Sequence, residues 1–217
     1  MDKVKLRENY QIGDISRFKN DYHLKRSGKD GEQEVHTISY TSQEVIDILE
    51  DGRIEIVTTV ENIEILKGDS EPLILTGSKE KNFLPPPESA HSYPKEALKI
   101  GSIWEMDRTL LLSPQIKWPS GNTIPMIIYY TLEGLEEVHK TLCAKIKLDS
   151  SLVIDVPGQT EPTQQIRNAG GYNYFGLEEG KLFKATSTIT NLITAGGRVE
   201  MRITEDLIID LIDFDWN

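Results

Sequence analysis

The sequence predicts a mainly β protein: antiparallel, a curled sheet or open barrel built from two related halves, with few short helices. Three features carry that expectation. Apolar residues recur with a period of two far more often than with the 3.6 of a helix. Glycine-containing turn signals separate the runs, because glycine supplies the positive φ that tight turns need. A tract near the C-terminal end is dense in β-branched residues, which suit a pleated surface and lose rotamer freedom in a helix.

In chain order, the first turn signal is Lys29-Asp30-Gly31. TSQEVIDILEDG, from Thr41 to Gly52, stands open between helix and strand: Thr41 and Glu44 form a capping box and Gly52 is placed to end a helix. After the turn Glu50-Asp51-Gly52, residues Ile54, Ile56, Thr58 and Val60 alternate with Glu55, Val57 and Thr59, as a half-buried strand does. Leu142, Ala144, Ile146 and Leu148 alternate likewise with Cys143, Lys145 and Lys147. Glu178-Glu179-Gly180 is the next turn, and Lys181 to Thr194 reads as one long strand. Past Ala195-Gly196-Gly197, residues Val199, Met201 and Ile203 alternate with Glu200, Arg202 and Thr204. Strands joined by such short turns pair antiparallel.

The 217 residues read as a single domain, 1–217, with internal halves 1–67 and 97–217 joined by a proline-containing crossing segment, 68–96, centred on Pro85-Pro86-Pro87. Landmarks recur at a spacing that varies by two residues. Gly13 in Tyr10–Ile15 matches Gly101 in Leu98–Ile103, Tyr40-Thr41 matches Tyr130-Thr131, and Ile54-Glu55-Ile56 matches Ala144-Lys145-Ile146, which favours a diverged duplication.

A net charge of −11 argues against nucleic acid and against an anionic membrane surface, since both require a basic footprint. No apolar run approaches the ~20 residues of a transmembrane helix, so no transmembrane segment is expected. A single cysteine says nothing of redox compartment. Localisation stays open: periplasmic or cell-envelope if a signal peptide was removed ahead of Met1, otherwise cytoplasmic.

The second half carries Gly101-Ser102-Ile103-Trp104, Tyr130 to Glu136 as Y-x-L-x-G-x-E, Cys143 to Ile146 as C-A-K-I, and Tyr174 to Lys181 as Y-F-x-x-E-x-G-K. In that order these motifs resemble a family of β-rich, duplicated bacterial cell-envelope proteins of unknown function. The resemblance spans about Leu98 to Ile203 and implies a fold and an exported location, with no active site. Two departures stand out: His139-Lys140 occupies a turn where the family often has glycine, and no export signal is visible.

Candidate chemistry is thin. His139 and Cys143 would share a face on a helix but lie about 13 Å apart along a strand, which removes a thiol–imidazole dyad. His23, His36 and His91 lack metal-ligand spacing. Asp210, Asp213 and Asp215 offer hard oxygens without a calcium loop and read as solvated edge charges. Gly170-Gly171 reads as a bend at a strand start, and Trp104, Trp118 and Trp216 as plugs of a barrel end. No catalytic residue, metal site or cofactor is expected.

The leading expectation is a non-enzymatic cell-envelope protein binding a lipid or other apolar small molecule, or a protein partner, with ligand contacts from Ala144, Ile146, Ile54, Ile56, Phe83 and Trp104. Small Ala144 leaves room on the sheet, and Leu73 to Tyr93 is the segment available to fold over it as a lid. The alternatives are a structural subunit that self-associates through exposed edges or the first ten residues, and a hydrolase whose acids converge in three dimensions.

Overall fold

In the computed structural model, residues 3–29, 31–66, 72–84, 93–111 and 123–215 are described. They form one antiparallel sheet of eleven strands: β1 Ile15–Gly28, β2 Gly31–Ile48, β3 Ile54–Leu66, β4 Leu73–Thr76, β5 Lys79–Leu84, β6 Ile103–Leu111, β7 Thr123–Val138, β8 Thr141–Asp155, β9 Thr163–Gly176, β10 Leu182–Ala195 and β11 Arg198–Asp215. Their order is β4-β3-β2-β1-β11-β10-β9-β8-β7-β6, with β5 beside β4 on the outer edge of β3. The sheet curls without closing, and no helix occurs among the described residues.

The Thr41–Gly52 question resolves to strand. Thr41 pairs with Phe18 on one side and Val60 on the other, and Val45 pairs with Ile56. Ladders on both flanks as far as Glu44, continued on the β1 side by the bonds of Val45 to Gly13 and Asp14, give these residues backbone partners that the ends of one short helix would lack. The Thr41 hydroxyl accepts a hydrogen bond from Asn20 at 3.1 Å instead of capping. Gly52 ends the element as expected, at φ 81°, but in the β2–β3 turn.

Within the segment expected as a lid, the strands Leu73–Thr76 and Lys79–Leu84 do not fold over the sheet, whereas Tyr93 at its end packs on Phe175 in the core with ring centres 4.7 Å apart. Leu73 pairs with Ile65 and Leu84 with Ile54, so β4 and β5 extend the sheet in its own plane. The free edge of β3 would otherwise leave a row of unpaired amides and carbonyls, and local strands satisfy them. Leu73, Ile74, Leu75 and Phe83 stay exposed in consequence. Pro85 to Pro87 lie outside the described residues, as do His91, Trp118 and Trp216.

Val4 and Leu6, with Tyr93, cover the sheet there. Val4 and Leu98 exchange two backbone hydrogen bonds of 2.7 Å, and the Asn9 amide donates to the Gly180 carbonyl at 3.1 Å. Val4 and Leu6 are buried against Met106, Tyr130, Leu132, Ala144, Ile146 and Phe175. The face they cover is called inner below. The end of the sheet where β8 and β10 begin, called the near end, holds nearly all of the buried core; Ile154 and Asn191 are buried farther along.

Two turns are built alike. Gly13 (φ 90°) donates to the Val45 carbonyl, and Val45 donates back to the Asp14 carbonyl; Gly101 (φ 88°) and Leu132 repeat this with Ser102. The Asp14 carboxylate accepts from the Gln11 amide at 2.8 Å, as the Ser102 hydroxyl does from Lys99 at 3.0 Å. Val45 faces Ile56 as Leu132 faces Ile146, and a bulge follows each pair, at Val45/Asp47 and Leu132/Gly134. Tyr40 and Tyr130 do not share this register. Tyr130 stands opposite Trp104, and the matching place opposite Ser16 belongs to Gln43.

Candidate functional site

The six residues expected to line a ligand site separate into three places. Ala144, Ile146 and Trp104 belong to the near-end core under Val4 and Leu6, with the Trp104 ring stacked on Tyr130 at 5.5 Å. Ile54 and Ile56 form a second cluster with Val45, Tyr10 and Leu84. Phe83 is exposed on β5, with the Arg53 guanidinium 5.4 Å from its ring centre. The room beside Ala144 is taken by the chain's own N-terminal segment, which leaves Ala144 without solvent exposure.

His139 and Lys140 make the two-residue β7–β8 turn, both at positive φ, and His139 Nε2 lies 2.9 Å from Asp210 Oδ1. Cys143 points elsewhere, packed with Phe183 and Leu211. Burial, and secondarily the nearby Glu179 charge, push its thiol up to about 11. Native protein should therefore resist alkylation by iodoacetamide, and Cys143→Ser should cost roughly 1–2 kcal/mol because a hydroxyl there needs a partner. Fast native labelling would contradict the burial. The raised thiol adds stability that is full below its unfolded value near 9 and is lost as pH rises toward about 11.

His23 and His36 stand directly opposite each other on β1 and β2, rings 5.5 Å apart, and His36 contacts Asp21 at 2.8 Å. No group of three metal-ligating side chains occurs among the described residues. The side chains of Asp213 and Asp215 lie outside the described residues. Gly170-Gly171 sits in the middle of β9 rather than at its start.

Sequence reasoning passed over the inner face beyond the core. Directly opposed residues in antiparallel strands share a face, so the register carries the inner face of Ala144 and Phe175 along the sheet. Leu148, Gly171 and Ser187 form one row across β8, β9 and β10, Ser150, Ala169 and Ile189 the next, and Leu152, Arg167 and Asn191 the one after. Ile203 and Arg26 continue this last row onto β11 and β1. Small residues thus make a notch at mid-sheet, and Leu152, Ile189, Ile193, Ile203 and Leu207 beside it are only partly buried.

A polar chain crosses this apolar ground. Tyr22 donates to one Glu205 oxygen at 3.2 Å and Asn191 Nδ2 to the other at 3.3 Å. Asn191 Oδ1 accepts from Gln165 and from Arg167 Nη1, each at 3.3 Å. Burial, then Glu205, raises the Tyr22 phenol above its ordinary value. Asn191 is 5% exposed, and Arg167 Nε is buried with no hydrogen-bond partner. Among the described residues no carboxylate pairs with Arg167. At the far end Arg26, Gln33, Ile193 and Met201 line a cavity of about 490 Å³, with Gln159 to Glu161 on its other side.

Comparisons with known proteins add little. No family model matches the chain, and no curated protein does. Among solved structures, a Bacteroides fragilis protein with a YmcC-like fold, inferred to be exported, aligns over 98% of this chain and 100% of its own at 10% identity and a TM-score of 0.36. DynF, from the dynemicin biosynthesis pathway of Micromonospora chersina, aligns over 97% of this chain and 85% of its own at 8% identity and a TM-score of 0.28. At these scores neither bears on function.

Proposed function

We propose that this chain is a non-enzymatic β protein of the cell envelope that holds an apolar molecule on the inner face of its curled sheet, beyond the self-filled near end. The supporting observation is the partly buried row of Ile189, Ile193, Ile203 and Leu207 beside the Gly171–Ser187 notch, leading to the 490 Å³ cavity. The isoleucines and Leu207 supply the apolar wall, and Arg167, Asn191 and Glu205 the few placed polar groups, that small-molecule sites present; the cavity beyond is lined mostly by polar groups, Arg26, Lys29, Gln33, Glu161 and Glu200 among them. The likeness of the turns at Gly13 and Gly101 favours an internal duplication, after which the first half kept Asp14 and the second Ser102.

A solvatochromic lipid probe tests the reading. Wild type is expected to give a saturable signal, and Ala169→Phe, which fills the notch, to weaken it about tenfold or more, while far-ultraviolet circular dichroism stays unchanged. No saturable signal would retire the proposal. Dimers in sedimentation would then put strand pairing in front, through the exposed β4 residues Leu73, Ile74 and Leu75 or through Ile103 on edge strand β6.

A further inference from the structure

We infer that the molecule held on the inner face is a single-chain amphiphile with a carboxylate head group, and that Arg167 takes that carboxylate; the inference rests on the apolar-face reading above and names its ligand class. A guanidinium kept for the fold is ordinarily matched by a carboxylate, and this chain has 35 acidic residues to choose from. Among the described residues none is placed against Arg167. The acid nearest in the polar chain, Glu205, already accepts from Tyr22 and Asn191, and Asn191 stands between the two charges with its carbonyl turned to the arginine and its amide to the glutamate.

The arginine is thus oriented but not neutralised. Its Nη1 reaches a neutral carbonyl, and its Nε is shut away from solvent without an acceptor. A buried donor left so costs roughly 1–3 kcal/mol. A small turn of the side chain would bring Nε–H and an Nη–H onto one carboxylate as a two-pronged pair, the geometry for which guanidinium is suited. One cation flanked by the carboxamides of Gln165 and Asn191 fits a monoanion. A phosphate would ask for a second cation close by, and Arg26, the next in the same row, is three strands away.

The ground for the hydrocarbon tail is continuous. From Arg167 the inner face of β9 passes Ala169 and Gly171, about 13 Å at the usual rise of a strand, and stops at Asn173, which is hydrogen-bonded to the Tyr93 side chain packed on Phe175. A palmitoyl chain is longer than that stretch and turns from it across the small side chain of Ser187 onto Leu207, with Ala169 and Gly171 leaving room beneath it.

Calorimetric titration of the full chain with palmitate, hexadecanol and hexadecyl phosphate, at neutral pH and below their aggregation limits, tests the assignment. Wild type is expected to bind palmitate about 10–100-fold tighter than hexadecanol, as a charge-assisted hydrogen-bonded pair allows. Arg167→Met should bring palmitate down to the level of hexadecanol and leave hexadecanol binding, the internal control for an intact fold, unchanged. Arg167→Lys should fall between. Equal binding of acid and alcohol by wild type would overturn the head-group assignment while the apolar-face reading stands; binding of neither would remove both. Preference for the phosphate, retention of the acid preference by Arg167→Met, or loss of alcohol binding in that variant would each overturn the role given to Arg167.

Discussion

Asp14→Ala is expected to cost the fold about 3–5 kcal/mol, a large part of what holds a domain of this size together. Asp14 is 1% exposed and lies 2.8 Å from the Lys181 ammonium, itself 7% exposed. The same carboxylate oxygen accepts from the Gln11 amide, so one atom fixes both the turn ahead of β1 and the end of the β9–β10 turn. Removing the acid takes the carboxylate away from a buried ammonium, which is costlier than removing both partners. The double variant Asp14→Ala/Lys181→Met is therefore expected to recover most of the loss. Guanidinium denaturation of the three proteins measures this; a single-variant cost below about 1 kcal/mol, the range of exposed pairs, would show that water reaches the pair.

Gly171→Ala is expected to cost about 3 kcal/mol or more, or to prevent folding altogether. A Cβ at Gly171 would stand 1.9 Å from the Thr186 carbonyl oxygen and 2.8 Å from the Ser187 Cα, both backbone atoms of the neighbouring strand. Overpacking against side chains costs about 1–3 kcal/mol where rotamers can give way; here the sheet itself must part. Gly170 provides the control, because a Cβ there meets its nearest neighbour, Asp149 Oδ1, at 3.6 Å, an ordinary contact. Gly170→Ala should stay within about 1 kcal/mol of wild type, helped by the lower freedom of its unfolded chain. Similar melting temperatures for the two variants would show that close approach of β9 and β10 is not the reason for glycine at 171.

What the sequence makes legible is phase. The alternations at Ile54, Leu142 and Val199 all lie in strands, and Gly31, Gly52, Gly180, Gly196 and Gly197 all turn at positive φ. Phase does not reveal partners. Val4 and Leu6 alternate as visibly as any strand pair, yet nothing local says that they return to cover Leu132 and Ala144. The Thr41–Glu44 capping box is a sound local signal that loses to ladders on both flanks. Glu205 continues the phase of Met201 and Ile203, and Arg167 that of Phe175, but in one sequence a charge in an apolar phase reads as the end of a run. Only the register across β1, β11, β10 and β9 shows that these interruptions meet.

The place of β1 beside β11 has a consequence during synthesis. Every other ladder joins strands close in the sequence, so each can form as a ribosome delivers them, whereas the partner that pairs Ile15 with Asp215 arrives last. At the usual pace of translation one flank of β1 waits roughly 10–40 s for its neighbour. An idle flank is a template for stray strands. Lys19, Asp21, His23 and Lys25 alternate along it, on the face opposite Asn20 and Tyr22; polar side chains that prefer water make the idle flank a poor template for an apolar stray strand, while Asp210 and Asp206 of the rightful partner stand opposite Lys19 and His23. The nascent chain thus carries its own guard against misassembly at the one seam that cannot close early.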